Sequence, residues 1–346
     1  MLETVKYLLG YAGPSGYGSK TTAEEVTAAC PDLSSVTAII TGATSGIGAE
    51  TARVLAMRGA HLVLPARCLK AAEETRGRII AQFPGAKVIV LPLDLSSQAS
   101  VRDFVSRFES LHLPLHLLIN NAGRFSHGHD ISVDGVEMTF ATNYLGHYLL
   151  TKLLLEKMAE SARASGIQGR IVNVTSNIHG WFSGDAIRYL NDLNRKKTPY
   201  DPTRAYTLSK LANVLHTREL AERLKKMGAN VTANCVHPGV VRTRLTRDRE
   251  GFSTDLAFFL ASKLLKTIPQ AAATTCYVAV HPRVARASGK YYVDCNEATL
   301  EKLATDAREA ARLWLVSEAL ISAPPATAAG DALSYRCRLS SSDMPL

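Results

Sequence analysis

The 346-residue chain lacks the cysteine spacing of metal-binding and disulfide-stabilised domains. Its six cysteines are scattered, and no two of them form a C-x-x-C pair. This pattern excludes a zinc ribbon or a disulfide framework and fits a reducing compartment, in which cysteines serve as small core residues. The one close histidine pair, His127 and His129, is not accompanied by a cysteine, so no metal site is predicted.

The chain also lacks a hydrophobic run long enough to span a membrane. The stretch 256–265 is interrupted by Lys263 and is far shorter than the roughly 18 to 20 residues that a spanning helix needs. Glu3 precedes a short apolar patch near Leu8, and no small-residue cleavage pattern follows, so a secretory signal is not predicted. A transit peptide is not evident either, because Glu24 comes early. We expect a soluble or peripheral protein.

Clusters of basic and aromatic residues are absent, although the formal charge is +9. Their absence argues against a nucleic-acid partner. The positive charge suits a phosphorylated cofactor or an acidic lipid surface, and net charge alone does not choose between these.

The length and the 46% content of hydrophobic residues allow one large α/β core. We predict one domain over 36–321, with an N-terminal arm over 1–35 and a disordered Ala/Pro/Ser-rich tail over 322–346. Within the arm, Thr21 and Glu24 match a capping box for a short helix.

Three glycines lie where the apolar run 36–40 meets a helical pattern from Ala49 to Met57. The loop consists of Thr41, Gly42, Ala43, Thr44, Ser45, Gly46, Ile47 and Gly48. Glycines let a phosphate approach the backbone, and the N–H groups at a helix N-terminus favour an anion. The pattern predicts a dinucleotide-binding turn, and the alternative is an ordinary glycine-rich connection.

Arg67 follows the second predicted strand, 60–65, about 20 residues after Gly48. An acidic residue there holds a ribose 2′-hydroxyl, whereas an arginine suits a 2′-phosphate. Arg67 therefore favours NADP(H) over NAD(H); the alternative is a solvated surface charge. Asp94 follows the strand 87–91; taken alone, it can serve as a turn or cap residue before a helix that starts near residue 98.

Small and polar residues end the next predicted strands. Asn120, Asn121, Ala122 and Gly123 follow the strand 115–119, where small residues allow close approach of a nucleotide and Asn side chains can tie strands together. A plain turn is the alternative. Further on, Asn143 is a polar residue in an apolar helical stretch and needs hydrogen-bond partners.

Tyr206 and Lys210 are separated by four residues on the predicted helix 205–224, so both lie on one face. An ammonium group near a phenol favours the phenolate and lowers the phenol pKa. Tyr206 could then exchange a proton with a substrate oxygen, while Ser176, at the end of the strand 169–176, donates to the same oxygen. The alternatives are a chance Tyr-x-x-x-Lys spacing and a serine that only forms a turn.

The C-terminal third contains a Pro-Gly turn and two amphipathic segments. Pro238 and Gly239 follow the strand 230–236. The segment 244–270 combines charges with an apolar patch, which suggests either a cover over a lipophilic substrate or a core-packing or membrane-touching helix. A helix is predicted over 297–320; its apolar stripe is assigned to the body of the protein, with a calmodulin-type partner as the alternative.

These motifs, complete and in order over about 37–292, resemble the short-chain dehydrogenase/reductase family. The glycine loop, Asn-Asn-Ala-Gly, Tyr-x-x-x-Lys and Pro-Gly-x-Val-x-Thr carry the resemblance. Ser209 to Leu215 and the interval from Ser176 to Tyr206 resemble the retinol-dehydrogenase-like branch. The segments 18–27 and 272–279 further resemble the chloroplast inner-envelope dehydrogenases associated with the protein-import translocon.

The resemblance implies a doubly wound Rossmann-type α/β sandwich with a mostly parallel seven-stranded sheet. It implies Asn143, Ser176, Tyr206 and Lys210 as catalytic residues. Asn143 would hold a water that links Lys210 to solvent, and Ser176 would also bind substrate. The implied cofactor-binding residues are Gly42, Thr44, Ser45, Gly46, Ile47, Gly48, Arg67, Asp94, Leu95, Asn121, Ala122, Gly123, Tyr206, Lys210, Pro238, Gly239, Val241 and Thr243.

The expected function is NADP(H)-dependent hydride transfer between the nicotinamide and a carbonyl or alcohol of a lipophilic small molecule. A competing hypothesis is an NADP(H)-sensing protein whose cofactor state controls docking on a chloroplast membrane complex; the intact catalytic set favours the enzyme. The resemblance implies a peripheral location at the chloroplast inner envelope, with the cytoplasm as the alternative. Oligomeric state is left open, a homodimer included.

Overall fold

One eight-stranded sheet forms the centre of the computed structural model, which describes residues 7–30, 32–241 and 265–322. The strands are β1 Thr37–Ile40, β2 His61–Ala66, β3 Val88–Pro92, β4 Leu117–Asn120, β5 Gly169–Val174, β6 Val231–His237, β7 Tyr291–Val293 and β8 Asn296–Glu297. Neighbours from β3 to β7 run parallel, and β8 pairs antiparallel with β7. The predicted mostly parallel sheet is confirmed, with β8 as a short addition to its seven parallel strands.

The strand order is β3-β2-β1-β4-β5-β6-β7-β8, so the sheet is built outward in both directions from β1 and β4. In such doubly wound sheets a crevice opens at the carboxyl ends of the strands where the order reverses. The glycine loop follows β1, and the Asn-Asn-Ala-Gly turn begins at the end of β4. The fold therefore brings these two loops to the same crevice.

Helices cover both faces of the sheet. They are α1 Ala23–Thr27, α2 Gly46–Met57, α3 Leu69–Gln82, α4 Gln98–Glu109, α5 Gly146–Ser165, α6 Ala186–Asn194, α7 Pro202–Met227, α8 Ile268–Val280 and α9 Ala307–Ser322. The apolar side chains of α4, α5, α7 and α9 join one core, and those of α1, α2, α3 and α8 join the other. Because both faces are covered, β1 and β4 are buried along their whole length.

The N-terminal arm packs against α8 and α2 through α1. Its capping box was predicted one residue too early. Thr22, not Thr21, accepts the Glu25 N–H, and the Glu25 carboxylate accepts the Thr22 N–H in return. Thr21 instead accepts the N–H of Gly18 in the preceding turn, which places the helix start one residue later.

The predicted helix over 297–320 is wrong in its first half. Asp294 and Cys295 take left-handed backbone conformations, with φ of 51° and 64°, and this turn leads into β8 instead. The helix α9 begins only at Ala307, where the Asp306 carboxylate accepts the N–H groups of Arg308 and Glu309.

The helix α9 is docked on the body, but Leu315, which belongs to the apolar stripe of the sequence, is 69% exposed. Its buried residues, Ala310, Leu313, Ser317 and Ile321, pack on the body, chiefly on α7. A calmodulin-type partner could use this stripe only if α9 left the body. Among the described residues, no helix combines the length and the apolar character needed to cross a membrane. The predicted cover over 244–270 lies, up to residue 264, outside the described residues.

Candidate active site

The glycine loop leads directly into α2, which begins at Gly46 rather than at the predicted Ala49. Gly46, Ile47 and Gly48 therefore form the first helical turn. Ser45 occupies the N-cap but makes no side-chain hydrogen bond to α2 within the described chain, whereas Ser97 caps α4 through its hydroxyl. The N–H groups at the start of α2 thus lack a side-chain cap and are suited to an anion.

Two loop glycines are required by the protein's own packing as well as by a ligand. A Cβ at Gly42, which has φ of 67°, would lie 2.7 Å from the Cα of Ala122. A Cβ at Gly48 would overlap the Gly42 carbonyl oxygen and the Asn121 side-chain nitrogen. Only glycine lets the two loops at the crevice touch. Thr44 lies beside α3, with its carbonyl oxygen 3.4 Å from the Thr75 hydroxyl, whose nearer acceptor is the Ala71 carbonyl at 3.1 Å.

The turn after β4 is held by both of its asparagines. Asn121 donates its side-chain N–H to the Thr41 carbonyl at 3.0 Å, which fixes this turn to the glycine loop. Asn120 donates to Asn173 on β5 at 2.8 Å. The prediction that these side chains tie neighbouring strands is confirmed, so the turn is more than a plain connection.

Arg67 and Asp94 lie at the ends of β2 and β3. Arg67 is exposed directly after β2. Asp94 forms a turn, because its Oδ1 accepts the N–H and the hydroxyl of Ser96 at 2.9 and 2.7 Å. The cap of α4 is Ser97 rather than Asp94. Leu95 is buried, and its carbonyl oxygen lies so close to Gly146 that a side chain there would overlap it.

Asn143 occupies a π-helical turn, Ala141–Leu145, immediately before α5. It is fully buried, and its side chain accepts the Arg124 N–H at 2.7 Å and donates to the Arg124 carbonyl and the Ser209 hydroxyl, each at 3.0 Å. The predicted need for partners is met entirely by the protein. The side chain thereby fastens the segment after Gly123 to α7, and the water-holding role implied by the resemblance stays a prediction.

Lys210 is buried on α7 and donates to the Val174 carbonyl at the end of β5, at 3.0 Å. Its ammonium nitrogen lies 5.5 Å from the centre of the Tyr206 ring. A Cβ added at Gly123 would be 3.7 Å from this nitrogen and 3.6 Å from the Asn143 Oδ1. The contacts thus bring Tyr206, Lys210, Asn143 and Gly123 together at one point of the crevice.

Ser176 lies two residues beyond the carbonyl that holds Lys210. It caps the 3₁₀ turn Asn177–Trp181, where its hydroxyl oxygen accepts the Ile178 N–H at 3.4 Å. Ser176 therefore does form a turn, as the alternative interpretation stated. This bond is long, so the half-buried hydroxyl retains capacity for a second partner. Thr175 fixes the strand end by donating to the Lys210 carbonyl at 2.7 Å.

The pKa values of the central pair are set by burial. Burial raises the pKa of Tyr206 to about 12 and lowers the pKa of Lys210 to about 8. The direction expected for Tyr206 from the neighbouring ammonium group was therefore wrong for this state of the protein. The ammonium points at the Val174 carbonyl, and the loss of hydration around a phenolate outweighs its attraction.

The Pro-Gly turn follows β6 as predicted. Gly239 has φ of 92°, and a side chain there would also collide with the side chain of Lys266, 2.6 Å from its Cδ. Val241 is buried. Lys266 donates its backbone N–H to the Val240 carbonyl at 2.9 Å. Thr243 lies outside the described residues.

Two residues of the crevice, Phe125 and Thr41, had no individual role predicted from the sequence. Phe125 packs its ring 5.5 Å from that of Tyr206, and Thr41 accepts the N–H groups of Asn121 and Ala122, each at 2.9 Å. The position of Thr41 at a strand end next to a glycine was a usable signal in the sequence. Phe125 had no such signal, because its neighbour lies on a distant helix. The described ranges contain no group of three or more metal-ligating side chains.

The residues that line the crevice fit a nicotinamide dinucleotide. The N-terminus of α2 without a side-chain cap suits the pyrophosphate, and the Gly42–Gly48 loop leaves its backbone accessible. Tyr206 and Lys210 lie beside the carboxyl end of β5, at the edge of the sheet where ligands bind in this type of fold.

Comparison with known proteins agrees with this arrangement. The family model for short chain dehydrogenases matches residues 36–184. Short-chain dehydrogenase TIC 32 B, chloroplastic, of Brassica napus is 47% identical over 326 residues, which cover 94% of this chain and 100% of that protein. Retinol dehydrogenase 12 of Mus musculus is 42% identical over 279 residues, covering 81% of this chain and 84% of the relative.

A solved structure shows the same fold. An uncharacterised protein of Mycobacterium paratuberculosis superposes with a TM-score of 0.67 at 31% identity, over 86% of this chain and 97% of that protein. The similarities to a TIC 32 protein and to a retinol dehydrogenase confirm both resemblances that the sequence motifs indicated. The chain belongs to the short-chain dehydrogenase/reductase family of oxidoreductases, which bind a nicotinamide cofactor.

Proposed function

We propose that this chain is an NADP(H)-dependent oxidoreductase that interconverts a carbonyl and an alcohol on a lipophilic small molecule. The observation that carries the proposal is the buried Lys210 ammonium group, anchored to a strand end one helical turn from Tyr206. Burying an ammonium group costs much of its hydration free energy, and a single hydrogen bond to a carbonyl does not recover that cost. Such groups are therefore found mainly at functional sites. Beside a phenol in a cofactor crevice, it has a chemical use.

The residues divide the reaction between them. The nicotinamide, when bound, gives or takes the hydride. Burial raises the pKa of the Tyr206 phenol to about 12, so the phenol carries its proton at neutral pH. It can donate that proton to the carbonyl oxygen during reduction. Lys210 then stabilises the phenolate, and Ser176 hydrogen-bonds the same substrate oxygen. For alcohol oxidation Tyr206 must first lose its proton.

The cofactor preference is assigned to Arg67, which is exposed immediately after β2. We expect Arg67→Asp to weaken NADPH binding and spare NADH binding, because a carboxylate repels the 2′-phosphate and accepts a bond from a free 2′-hydroxyl. The ratio of the two dissociation constants, measured by cofactor fluorescence, should change by about 100-fold or more.

The control for this change is Lys226→Asp, which alters the charge equally. Lys226 is exposed near the end of α7, about 30 Å along the helix from Tyr206. The assignment would be refuted if the ratio of the NADPH and NADH dissociation constants were the same in the Arg67→Asp and Lys226→Asp proteins.

The presence of Phe125 beside Tyr206 supports a lipophilic substrate. The half-buried Phe125 ring packs against the Tyr206 ring, and it lies edge-on to the His127 ring, with 5.2 Å between the two ring centres. We expect Phe125→Ala to raise the KM for a long-chain aldehyde about tenfold, because apolar contact area is lost, and to change the KM for a two-carbon or three-carbon carbonyl little.

Phe125→Leu serves as the matched variant, since it keeps an apolar wall of similar volume. It should retain most of the affinity for the long-chain aldehyde. Equal losses for small and large carbonyls in Phe125→Ala would mean that the ring positions Tyr206 rather than the substrate.

The proposed activity is tested by a series of aldehydes and ketones of increasing apolar size, followed by consumption of NADPH. We expect turnover that improves with apolar size and depends on NADPH. A protein that binds NADPH tightly yet reduces none of the series would favour the sensing role, in which cofactor occupancy alone matters.

We also propose a peripheral location at the chloroplast inner envelope. Its support is the chloroplastic Brassica relatives, two proteins that are each 47% identical to this chain. Fractionation of plastids from plants that express the tagged protein should recover it with the envelope. Recovery in the cytoplasm would contradict the proposal.

A further inference from the structure

His147 lies in the first turn of α5 and is almost fully buried, with 4% of its surface exposed. Its two ring nitrogens contact two different parts of the crevice. Nδ1 lies 3.1 Å from the Asn143 carbonyl oxygen, and Nε2 lies 2.9 Å from the Thr41 hydroxyl. No motif of the sequence assigned this residue a role, and the reaction steps described above do not use it.

The chemistry of the partners fixes every bond direction. The Asn143 carbonyl can only accept, so Nδ1 carries the hydrogen. The Thr41 hydroxyl already accepts the N–H groups of Asn121 and Ala122 and must donate its own hydrogen. Its nearer acceptor is Nε2 at 2.9 Å, compared with the Ile119 carbonyl at 3.4 Å. His147 is therefore neutral, with an N–H at one end and a lone pair at the other.

Burial supports this single protonation state. It lowers the pKa of His147 to about 4, and the nearby Lys210 ammonium acts in the same direction. Across neutral pH the ring thus keeps one donor and one acceptor. A buried ring that can neither rotate nor change protonation without losing a bond is a rigid spacer.

We propose that His147 is a positioning residue that holds the two cofactor-binding loops and the catalytic π-helical turn at a fixed distance from each other. Through Thr41 it reaches Asn121 and Ala122. At its other end it contacts the backbone of Asn143, and the side chain of Asn143 binds Arg124 and Ser209. Ser209 in turn donates to the Tyr206 backbone carbonyl at 2.7 Å, which continues the network to the helix turn that carries the phenol.

The two ends of the ring have separable consequences. The link to Thr41 supports the loops that receive the cofactor, and its loss should weaken cofactor binding. The link to Asn143 supports the turn packed against α7, and its loss should slow turnover at saturating cofactor. The kinetic consequence rests on the proposed dehydrogenase function, whereas the binding consequence does not.

Two amide variants test the two ends. The amide of His147→Gln reaches the position of Nε2 and can accept from Thr41, and the shorter amide of His147→Asn lies near Nδ1 and can donate to Asn143. We expect His147→Gln to keep the NADPH dissociation constant within about threefold and to lower kcat about tenfold. His147→Asn should do the opposite, and His147→Phe should lose both properties.

A second set of variants separates positioning from general stability. His116 is another buried histidine with two hydrogen bonds, to Thr37 and Ser165, but it lies at the amino end of β4, away from the crevice. His116→Gln should lower the Tm without changing NADPH binding or kcat. Thr41→Val removes the same hydrogen bond, between Thr41 and His147 Nε2, from the threonine side. The double variant Thr41→Val/His147→Asn should therefore bind NADPH no more weakly than Thr41→Val alone.

The outcomes are decisive in both directions. Opposite losses in the Gln and Asn variants, with non-additivity at Thr41, support the positioning role. Equal losses in all three His147 variants, or a lower Tm with unchanged NADPH binding and kcat, would overturn it. Should the protein lack reductase activity altogether, the proposed function fails, while the NADPH dissociation constants still test the cofactor-side link.

Discussion

Replacing Tyr206 with phenylalanine should abolish carbonyl reduction while leaving NADPH bound. The change removes one oxygen atom and keeps the ring, so the contact with Phe125 and the position of the Lys210 ammonium are expected to persist. The missing proton donor should lower kcat about 10³-fold, within the range of general acid catalysis. The dissociation constant for NADPH should change less than about threefold, because cofactor affinity comes chiefly from the glycine loop. Stopped-flow NADPH oxidation and fluorescence titration measure the two quantities.

The control is Tyr11→Phe, which deletes the same atom from a side chain that is 71% exposed on the N-terminal arm. It should leave both kcat and NADPH binding unchanged. A Tyr206→Phe protein that retains kcat within about tenfold of the unmodified enzyme would place the proton donor elsewhere. Lost NADPH binding would instead show that the hydroxyl serves the cofactor.

The parts of the site that could be predicted from the sequence are those encoded by local spacing. Tyr206 and Lys210 share a helix face because they are four residues apart, and the glycine loop, Asn121 and Ser176 follow strands that read clearly as apolar runs. Parallel strands end at one edge of the sheet, so strand ends alone were enough to bring these residues together.

The parts that could not be predicted depend on contacts between distant segments or on burial. His147 touches Thr41 across 106 residues, and no local pattern indicates that contact. The raised pKa of Tyr206 follows from the loss of hydration around the phenol, which spacing on a helix does not reveal. The misplaced start of the last helix has a related cause: the left-handed turn at Asp294 and Cys295 is imposed by the pairing of β7 with β8.

The glycine loop combines a local signal with a distant contact. The spacing of its glycines indicated a phosphate site, but the structure adds that Gly48 is pressed against Gly42 and Asn121. Asn121 itself is bonded to the Thr41 carbonyl, so loop shape and the turn after β4 depend on each other. A change at Gly48 should therefore act on both loops at once.

Gly48→Ala should damage both crevice loops by adding a single methyl group. Gly48 has ordinary helical backbone geometry in α2, so alanine brings no backbone strain and its effect is purely steric. The new Cβ overlaps a backbone oxygen and the Asn121 amide, neither of which can yield without separating the loops. We expect NADPH affinity to fall about 100-fold and the free energy of unfolding to fall by about 2 kcal/mol.

The matched control is Gly77→Ala, the same substitution inside α3, where a Cβ would meet no described atom within 4 Å. It should raise the free energy of unfolding by about 0.5 to 1 kcal/mol, because alanine is the better helix former, and leave NADPH binding unchanged. Fluorescence titration and denaturant unfolding of both variants give the comparison. If Gly48→Ala bound NADPH as tightly as Gly77→Ala, the close contact between the loops would not govern the cofactor site, and the α2 N-terminus alone would have to account for its affinity.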